Sequence, residues 1–302
     1  MRRVLTFLLA LLLPMSLQAE LQVVVLEGLG GAAEYEAQFE SQVEAIEIAS
    51  GALTSSARIR SFRAGDFDRE DVLGFFAELA GDLSADDRLA IFMVGHGSFD
   101  DHEYKFNIAG PDITDTDLQE ILDSGTAGHV LLVNMSSASG ATADRLKGDD
   151  RTLILATRSG AERHATRFGG YFIAALSDPS ADLDKNNIIT ADEAHDFASR
   201  QVSDFFERSG RLATEHSRVE GGQAARFSLA RLGSQRPAVS DPELDRLVAE
   251  RDAMNADIDE LRLRRADMAP DAYQAELLNR MLELATLEED IERREAELSD
   301  EN

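Results

Sequence analysis

Leu89-Ala90-Ile91-Phe92-Met93-Val94 runs straight into Gly95-His96-Gly97, and Val130-Leu131-Leu132-Val133 runs through Asn134-Met135 into Ser136-Ser137-Ala138-Ser139-Gly140. Each is an uninterrupted apolar run closed by small and polar residues. A strand buried on both faces reads this way, whereas a half-solvated strand alternates. Leu21 to Leu26 and Leu153 to Ala156 repeat the pattern, and a last strand is expected at Arg226-Phe227-Ser228-Leu229. Between the runs lie amphipathic segments, Glu34 to Ile48, Arg69 to Leu79, Asp115 to Leu122 behind a capping Thr114, and Ala165 to Leu176. The alternation predicts an α/β fold, a mostly parallel sheet with helices on both faces. Chemistry in such sheets gathers at the carboxyl ends of the strands, where both quoted turns lie.

The chain opens Met1-Arg2-Arg3, continues through apolar Val4 to Leu13, and reaches Leu17-Gln18-Ala19. This is the pattern of a signal peptide over residues 1–19, with a mature chain from about Glu20. Its apolar core is shorter than the ~20 residues a spanning helix needs, so no integral membrane segment is expected after cleavage. A secreted or periplasmic location follows. Export permits disulfides, but the 302 residues contain no cysteine, so the fold rests on its core and on any bound metal. A formal charge of -27 argues against nucleic acid and anionic membrane surfaces, where each phosphate contact needs a cation. It suits a calcium-rich exterior.

Gly233-Ser234-Gln235-Arg236-Pro237 is rich in breakers and divides the mature chain into residues 20–234 and 235–302. Beyond it, Ser240 and Glu243 form a capping-box pattern, and Leu244, Leu247, Met254, Ile258, Leu261 and Met268 recur at heptad spacing, interrupted by Arg251 and Arg265. After Pro270-Asp271 the pattern resumes at Tyr273, Leu277, Leu284, Leu287, Ile291 and Leu298. An antiparallel helical hairpin is expected, serving as a structural coiled coil or as a homo-oligomerisation arm.

Residues 182–193, Asp-Leu-Asp-Lys-Asn-Asn-Ile-Ile-Thr-Ala-Asp-Glu, place oxygen ligands at the spacing of an EF-hand loop. Asp182, Asp184 and Asn186 offer side-chain oxygens, Ile188 its carbonyl, Thr190 a direct or water-mediated contact, and Glu193 a bidentate carboxylate. The expected cofactor is Ca2+. Asn187 stands where the loop usually has glycine, and asparagine tolerates the left-handed conformation better than most residues. With no second loop to pair with, a bracing role is expected rather than that of a sensor.

His96 lies between two glycines that let a ligand backbone approach. Ser137, at a strand-to-helix turn, reads as a nucleophile, a helix cap or part of an anion-binding edge, and capping is the commonest use of a serine there. Together the two turns resemble those of the caspase and legumain superfamily, the clan CD cysteine peptidases. There one apolar run ends in His-Gly and the next in Ala-Cys-x-Ser-Gly. The resemblance extends over Glu20 to about Leu232, including Gly28 to Gly31 and Ala156-Thr157-Arg158-Ser159-Gly160. It is nearest to bacterial secreted legumain-like proteins carrying Lys105-Phe106-Asn107, Thr166-Arg167-Phe168-Gly169 and Thr214-Glu215-His216 segments.

The resemblance implies catalytic positions at His96 and Ser137, with Gly97, Arg158 and Ser159 at a substrate pocket. It also implies that the nucleophilic cysteine is replaced by Ser137. A thiol ionises near pH ~8.5 and attacks as thiolate, but a hydroxyl needs a base in direct contact. In that superfamily the histidine and the nucleophile flank the scissile bond instead of pairing, which serves an alcohol poorly. The expected function is therefore an exported, calcium-binding pseudo-peptidase that binds a peptide or protein partner with little or no hydrolysis. An active serine endopeptidase using Ser137 and His96, or a coiled-coil scaffold, are the alternatives. His102, His129, His164, His195 and His216 are expected to be structural.

Overall fold

The computed structural model describes residues 21–55, 58–125, 127–232 and 242–300. The expected signal peptide, Glu20, the breaker stretch 233–237 and Ser240 lie outside them. In chain order the first half runs β1 (Leu21–Glu27), α1 (Ala33–Gly51), β2 (Ile59–Phe62), α2 (Arg69–Asp82), β3 (Arg88–Val94), β4 (Gly97–Phe99), β5 (Tyr104–Phe106), β6 (Ile113–Thr114) and α3 (Asp115–Ser124). The second half runs β7 (His129–Asn134), α4 (Ala143–Leu146), β8 (Arg151–Leu155), α5 (Phe168–Ala175), β9 (Ile188–Thr190), α6 (Ala191–Ser209), β10 (Arg218–Glu220), β11 (Ser228–Arg231), α7 (Pro242–Leu263) and α8 (Pro270–Asp300).

The central sheet has the order β10-β8-β7-β3-β1-β2, parallel except for β10. Alternate residues of each apolar run enter different cores, as the two-residue period of a strand requires. Val23, Val25, Phe92, Val94, Leu131, Val133 and Ile154 pack with α1, α5 and α6. Val24, Leu26, Ile91, Met93, Leu132 and Leu155 pack with α2, α3 and α4 on the other side. Both faces are covered, which is why these strands read as continuous apolar runs. The expected α/β class, a mostly parallel sheet between helices, is the architecture found.

Helix starts follow their polar punctuation. Asp68 accepts the Glu70 and Asp71 amides, Thr114 accepts the Asp117 amide, and Thr190 accepts the Glu193 amide, each closed as a capping box. α5 differs from the expected 165–176, because its first turn begins at Phe168 and is capped from elsewhere by Glu215. The expected last strand, 226–229, is displaced. Ala224–Arg226 is a 3-10 turn, and Ser228–Arg231 pairs antiparallel with β9 instead of joining the central sheet. The edge strands β2 and β10 escaped the sequence reading because Ile59-Arg60-Ser61-Phe62 and Arg218-Val219-Glu220 are too short and too polar to show a buried run.

α7 and α8 form the expected hairpin, turning through a 3-10 segment at Arg264–Asp267. Leu244, Leu247 and Ile291 are buried together, with Leu287 and Leu298 beside them. Asp257 and Arg280 pair across the helices at 2.7 Å, and the seam-breaking Arg265 stacks 5.5 Å above the Tyr273 ring.

Candidate functional site

The chain direction across the sheet reverses between β1 and β3. β2 is added on one side of β1, while β3, β7 and β8 follow on the other. A crevice opens outside the carboxyl ends of strands at such a reversal. His96 follows β3 into it, meeting the loop after β1. Its Nε2 lies 3.2 Å from the Gly30 carbonyl, which can only accept, so Nε2 carries the proton and a neutral ring leaves Nδ1 bare. Tyr35 and Phe39 of α1 meet the imidazole edge-on at 4.6 and 5.1 Å. The void beside it, between α1 and α5, is about 20 Å³, room for a water at most.

Ser136 and Ser137 follow β7, the neighbour of β3. Ser136 belongs to a buried network in which its Oγ bonds the Asn134 Oδ1 at 2.7 Å and the Tyr104 hydroxyl at 2.6 Å. Burial dominates the Tyr104 hydroxyl and pushes its pKa up to about 12, so it stays protonated. Ser137 is 4% exposed, and among the described residues its Oγ has no hydrogen-bond partner. No hydrogen bond joins it to His96. Ala138 holds a left-handed conformation with φ 58°, uncommon for alanine, fixed by its amide bonding the Glu162 carbonyl at 2.9 Å and by its carbonyl receiving the Ala141 amide.

Gly97 closes the site from the side of the β4–β5 hairpin. A Cβ there would stand 2.5 Å from Ser136 Oγ, 2.7 Å from the Ser137 carbonyl and 2.8 Å from the Tyr104 hydroxyl, so only glycine fits. On the other side, Arg158 and Ser159 lie in the loop after β8 and both are exposed. The Arg158 amide bonds Glu162 Oε2 at 2.8 Å, and its carbonyl accepts from Arg218 at 3.2 Å. The structure thus places His96, Ser137, Gly97, Arg158 and Ser159 around one end of the sheet.

Three residues beside this cluster were not singled out for it. Glu162 receives the His216 amide at 3.0 Å and faces His216 Nδ1 at 2.6 Å, tying the 214–217 segment to the Ser137 turn. Glu215 accepts the Arg167 and Phe168 amides at 2.8 and 3.0 Å, and burial raises its pKa against those bonds. The Thr-Glu-His segment is the only sequence signal for Glu215 and His216, Glu162 has none, and nothing in the segment predicts these partners. His195, expected to be structural, bonds Ser217 Oγ through Nε2 at 3.1 Å, and burial lowers its pKa.

The 182–193 loop follows α5, contains β9 and ends in the first turn of α6. Asp182, Asp184 and Glu193 bring carboxylate oxygens within 4.8 Å of one another. Desolvation, followed by the charges of Glu193 and Asp182, raises the Asp184 pKa, against the Asn186 amide and the charge of Arg262. Asp182 accepts the Asn186 and Asn187 amides at 3.1 and 2.9 Å, and Asn186 Oδ1 accepts the Ile188 amide at 2.8 Å. Lys185 and Asn187 are left-handed at φ 59° and 61°, so the asparagine does what glycine usually does there. Glu193 Oε1 accepts the Leu183 amide and Oε2 the Thr190 amide and hydroxyl, which aims both oxygens along the loop. These donors fit a hard oxygen-seeking cation. β11 fills the place of a second loop, pairing Ala230 with Ile189.

No family model matches the sequence, and no curated protein matches it. Among solved structures, protein GSU0716 from Geobacter sulfurreducens is similar with a TM-score of 0.47 at 13% identity, over 70% of this chain and 99% of that one. Caspase-1 from Spodoptera frugiperda is similar with a TM-score of 0.45 at 10% identity, over 72% of this chain and 92% of that one. Both are likenesses of shape, and they assign no residue a role. Among the described residues, no helix is long and apolar enough to cross a membrane.

Proposed function

We propose that this chain is an exported, calcium-braced pseudo-peptidase of caspase/legumain-like build, which binds a peptide or protein partner at the carboxyl end of its sheet and hydrolyses it little or not at all. Residues 20–234 form the peptidase-like unit and 235–302 the helical arm. The observation that carries the reading is that, among the described residues, no hydrogen bond joins Ser137 to a base. The Ser137 hydroxyl has no partner among the described residues, while His96 donates to Gly30 and is wedged by Tyr35 and Phe39. An alcohol without a base in contact forfeits a general-base contribution of about 100- to 10,000-fold.

Calcium fits Asp182, Asp184, Asn186, the Ile188 carbonyl, Thr190 and Glu193, where it would add positive charge among the three carboxylates. Asp182 and Glu193 would then hold the chain after α5 to the first turn of α6. A second reading, the hairpin as a homo-oligomerisation arm, is favoured by Leu278, Met281 and Leu282, which stand 61%, 42% and 60% exposed along α8. The test is a peptide library offered to the purified protein and to Ser137→Cys, both in calcium. Binding without cleavage by the wild type, with cleavage gained by the thiol, supports the reading. Wild-type cleavage that disappears in both His96→Ala and Ser137→Ala overturns it.

A further inference from the structure

The 182–193 loop has a wall that its own sequence does not supply. The Leu232 amide donates to the Asn187 carbonyl at 2.8 Å and the Ala191 amide to the Phe227 carbonyl at 2.8 Å, so residues 227–232 run beside the loop from its sharp turn to the start of α6. The Ala224–Arg226 turn at the head of that segment packs on both β9 and α6, and α7 lies against the same turn. The helical arm and the loop therefore meet across one short stretch of chain.

α7 is also buried more deeply than its hairpin partner explains. Asn255 and Ile258 are 1% and 2% exposed, and Leu261 is buried beside them in sequence. One helix laid along another covers a single stripe, and a side chain sealed to this degree needs neighbours on several sides. Asn255, Ile258 and Arg262 recur at the i, i+3, i+7 spacing of one helix face, so Arg262 continues the enclosed face by one turn. Its charge reaches the loop. Burial is the first cause that raises the Asp184 pKa, with Glu193 and Asp182 adding to it, and the positive charge of Arg262 acts the other way.

We propose that Arg262 is an outer residue of the calcium site, a positive charge that the arm sets against the loop and that an incoming cation must oppose. The inference rests on the calcium reading of residues 182–193 and adds to it a residue that sets the affinity. Arm and cation compete for the same carboxylates, and by linkage calcium weakens the hold of α7 by the factor by which the docked Arg262 weakens calcium. One positive charge about 10 Å from a divalent ion in a water-like medium lowers the ion's affinity about 4-fold, and salt screens the effect.

Isothermal titration of the full chain with calcium chloride tests the proposal, with melting curves to confirm that each variant is folded. In low salt Arg262→Gln is expected to tighten the Kd about 4-fold and Arg262→Glu about 10-fold or more, and both gains shrink in about 0.5 M potassium chloride. Arg262→Lys keeps the charge and with it the wild-type Kd. Arg246→Gln, near the opposite end of α7 where Arg246 pairs with Glu243 and Glu250, leaves the Kd unchanged. Hydrogen exchange of the α7 amides around Asn255 is expected to be faster with calcium in wild type than in Arg262→Gln. Calcium that binds wild type, Arg262→Gln and Arg262→Glu with a single Kd, or Arg262→Lys that tightens the Kd as Arg262→Gln does, overturns the inference and leaves the calcium reading standing. Calcium that binds none of them overturns both.

Discussion

Glu215 offers a sharp test of how the site is held, because two substitutions there should part widely. Its carboxylate is 3% exposed and accepts the amides of Arg167 and Phe168, which open α5, the helix that enters the 182–193 loop. Glu215→Ala leaves the buried Phe168 amide and the part-buried Arg167 amide without partners, at about 1–3 kcal/mol for the first and less for the second, so a loss of about 1–4 kcal/mol is expected. Glu215→Gln keeps an acceptor oxygen in place. Because burial outweighs the backbone bonds and raises the Glu215 pKa, the ionised form is disfavoured in the fold, and the amide should cost less than about 1 kcal/mol at pH 7.

The pH dependence follows in sign. A carboxyl with a raised folded pKa binds its proton more tightly when folded, so its contribution is fully present below the ordinary glutamate range and is lost as pH rises through the raised value. Wild type should therefore lose ground to Glu215→Gln as pH climbs from 4 to 7. Urea denaturation followed by circular dichroism at several pH values measures both effects. A Gln variant as damaged as the Ala variant, or an Ala variant within about 1 kcal/mol of wild type, would refute the capping argument.

Calcium at one hundred times its Kd should stabilise the protein by about 2.7 kcal/mol, and Glu193→Gln should remove that gain; melting with calcium and with chelator reads it. Gly97→Ala forces a methyl against Ser136, Ser137 and Tyr104, and overpacking of about 1–3 kcal/mol is expected in chemical denaturation. Asp117, buried beneath Arg69, is subject to desolvation, but bonds from Arg69 and Thr114 hold its pKa below the ordinary aspartate value. Asp117→Ala should cost about 2–3 kcal/mol, less than a fully buried pair because Arg69 is 38% exposed, and the loss should shrink as pH falls through the aspartate range.

The legible parts of this chain are those where burial is symmetrical or ligands are sequential. β1, β3, β7 and β8 are covered on both faces, so their runs announce them, and the loop at 182–193 carries its donors in one stretch. The heptad positions of α7 and α8 repeat along single helices and were equally plain. β2 and β10 sit at sheet edges with solvent on one side, and three or four residues give no period to read. β11 was visible as a strand, but its partner is β9, a pairing that depends on how the 182–193 loop is presented. Glu162, His216 and Glu215 act through segments about fifty residues apart, and no local pattern links them. His96 and Ser137 could be placed at neighbouring strand ends from sequence. That His96 turns to Gly30 follows from tertiary packing by Tyr35 and Phe39.

The central claim is that Ser137 lacks a working base, and covalent labelling tests it most directly. The purified protein, in calcium, would be incubated with a fluorophosphonate and residue 137 examined by mass spectrometry, because such a probe reacts with serines whose hydroxyl is activated by a general base. No adduct at Ser137 is the predicted result. A stoichiometric adduct there, absent from His96→Ala, would show that the histidine does activate the serine and would contradict the claim.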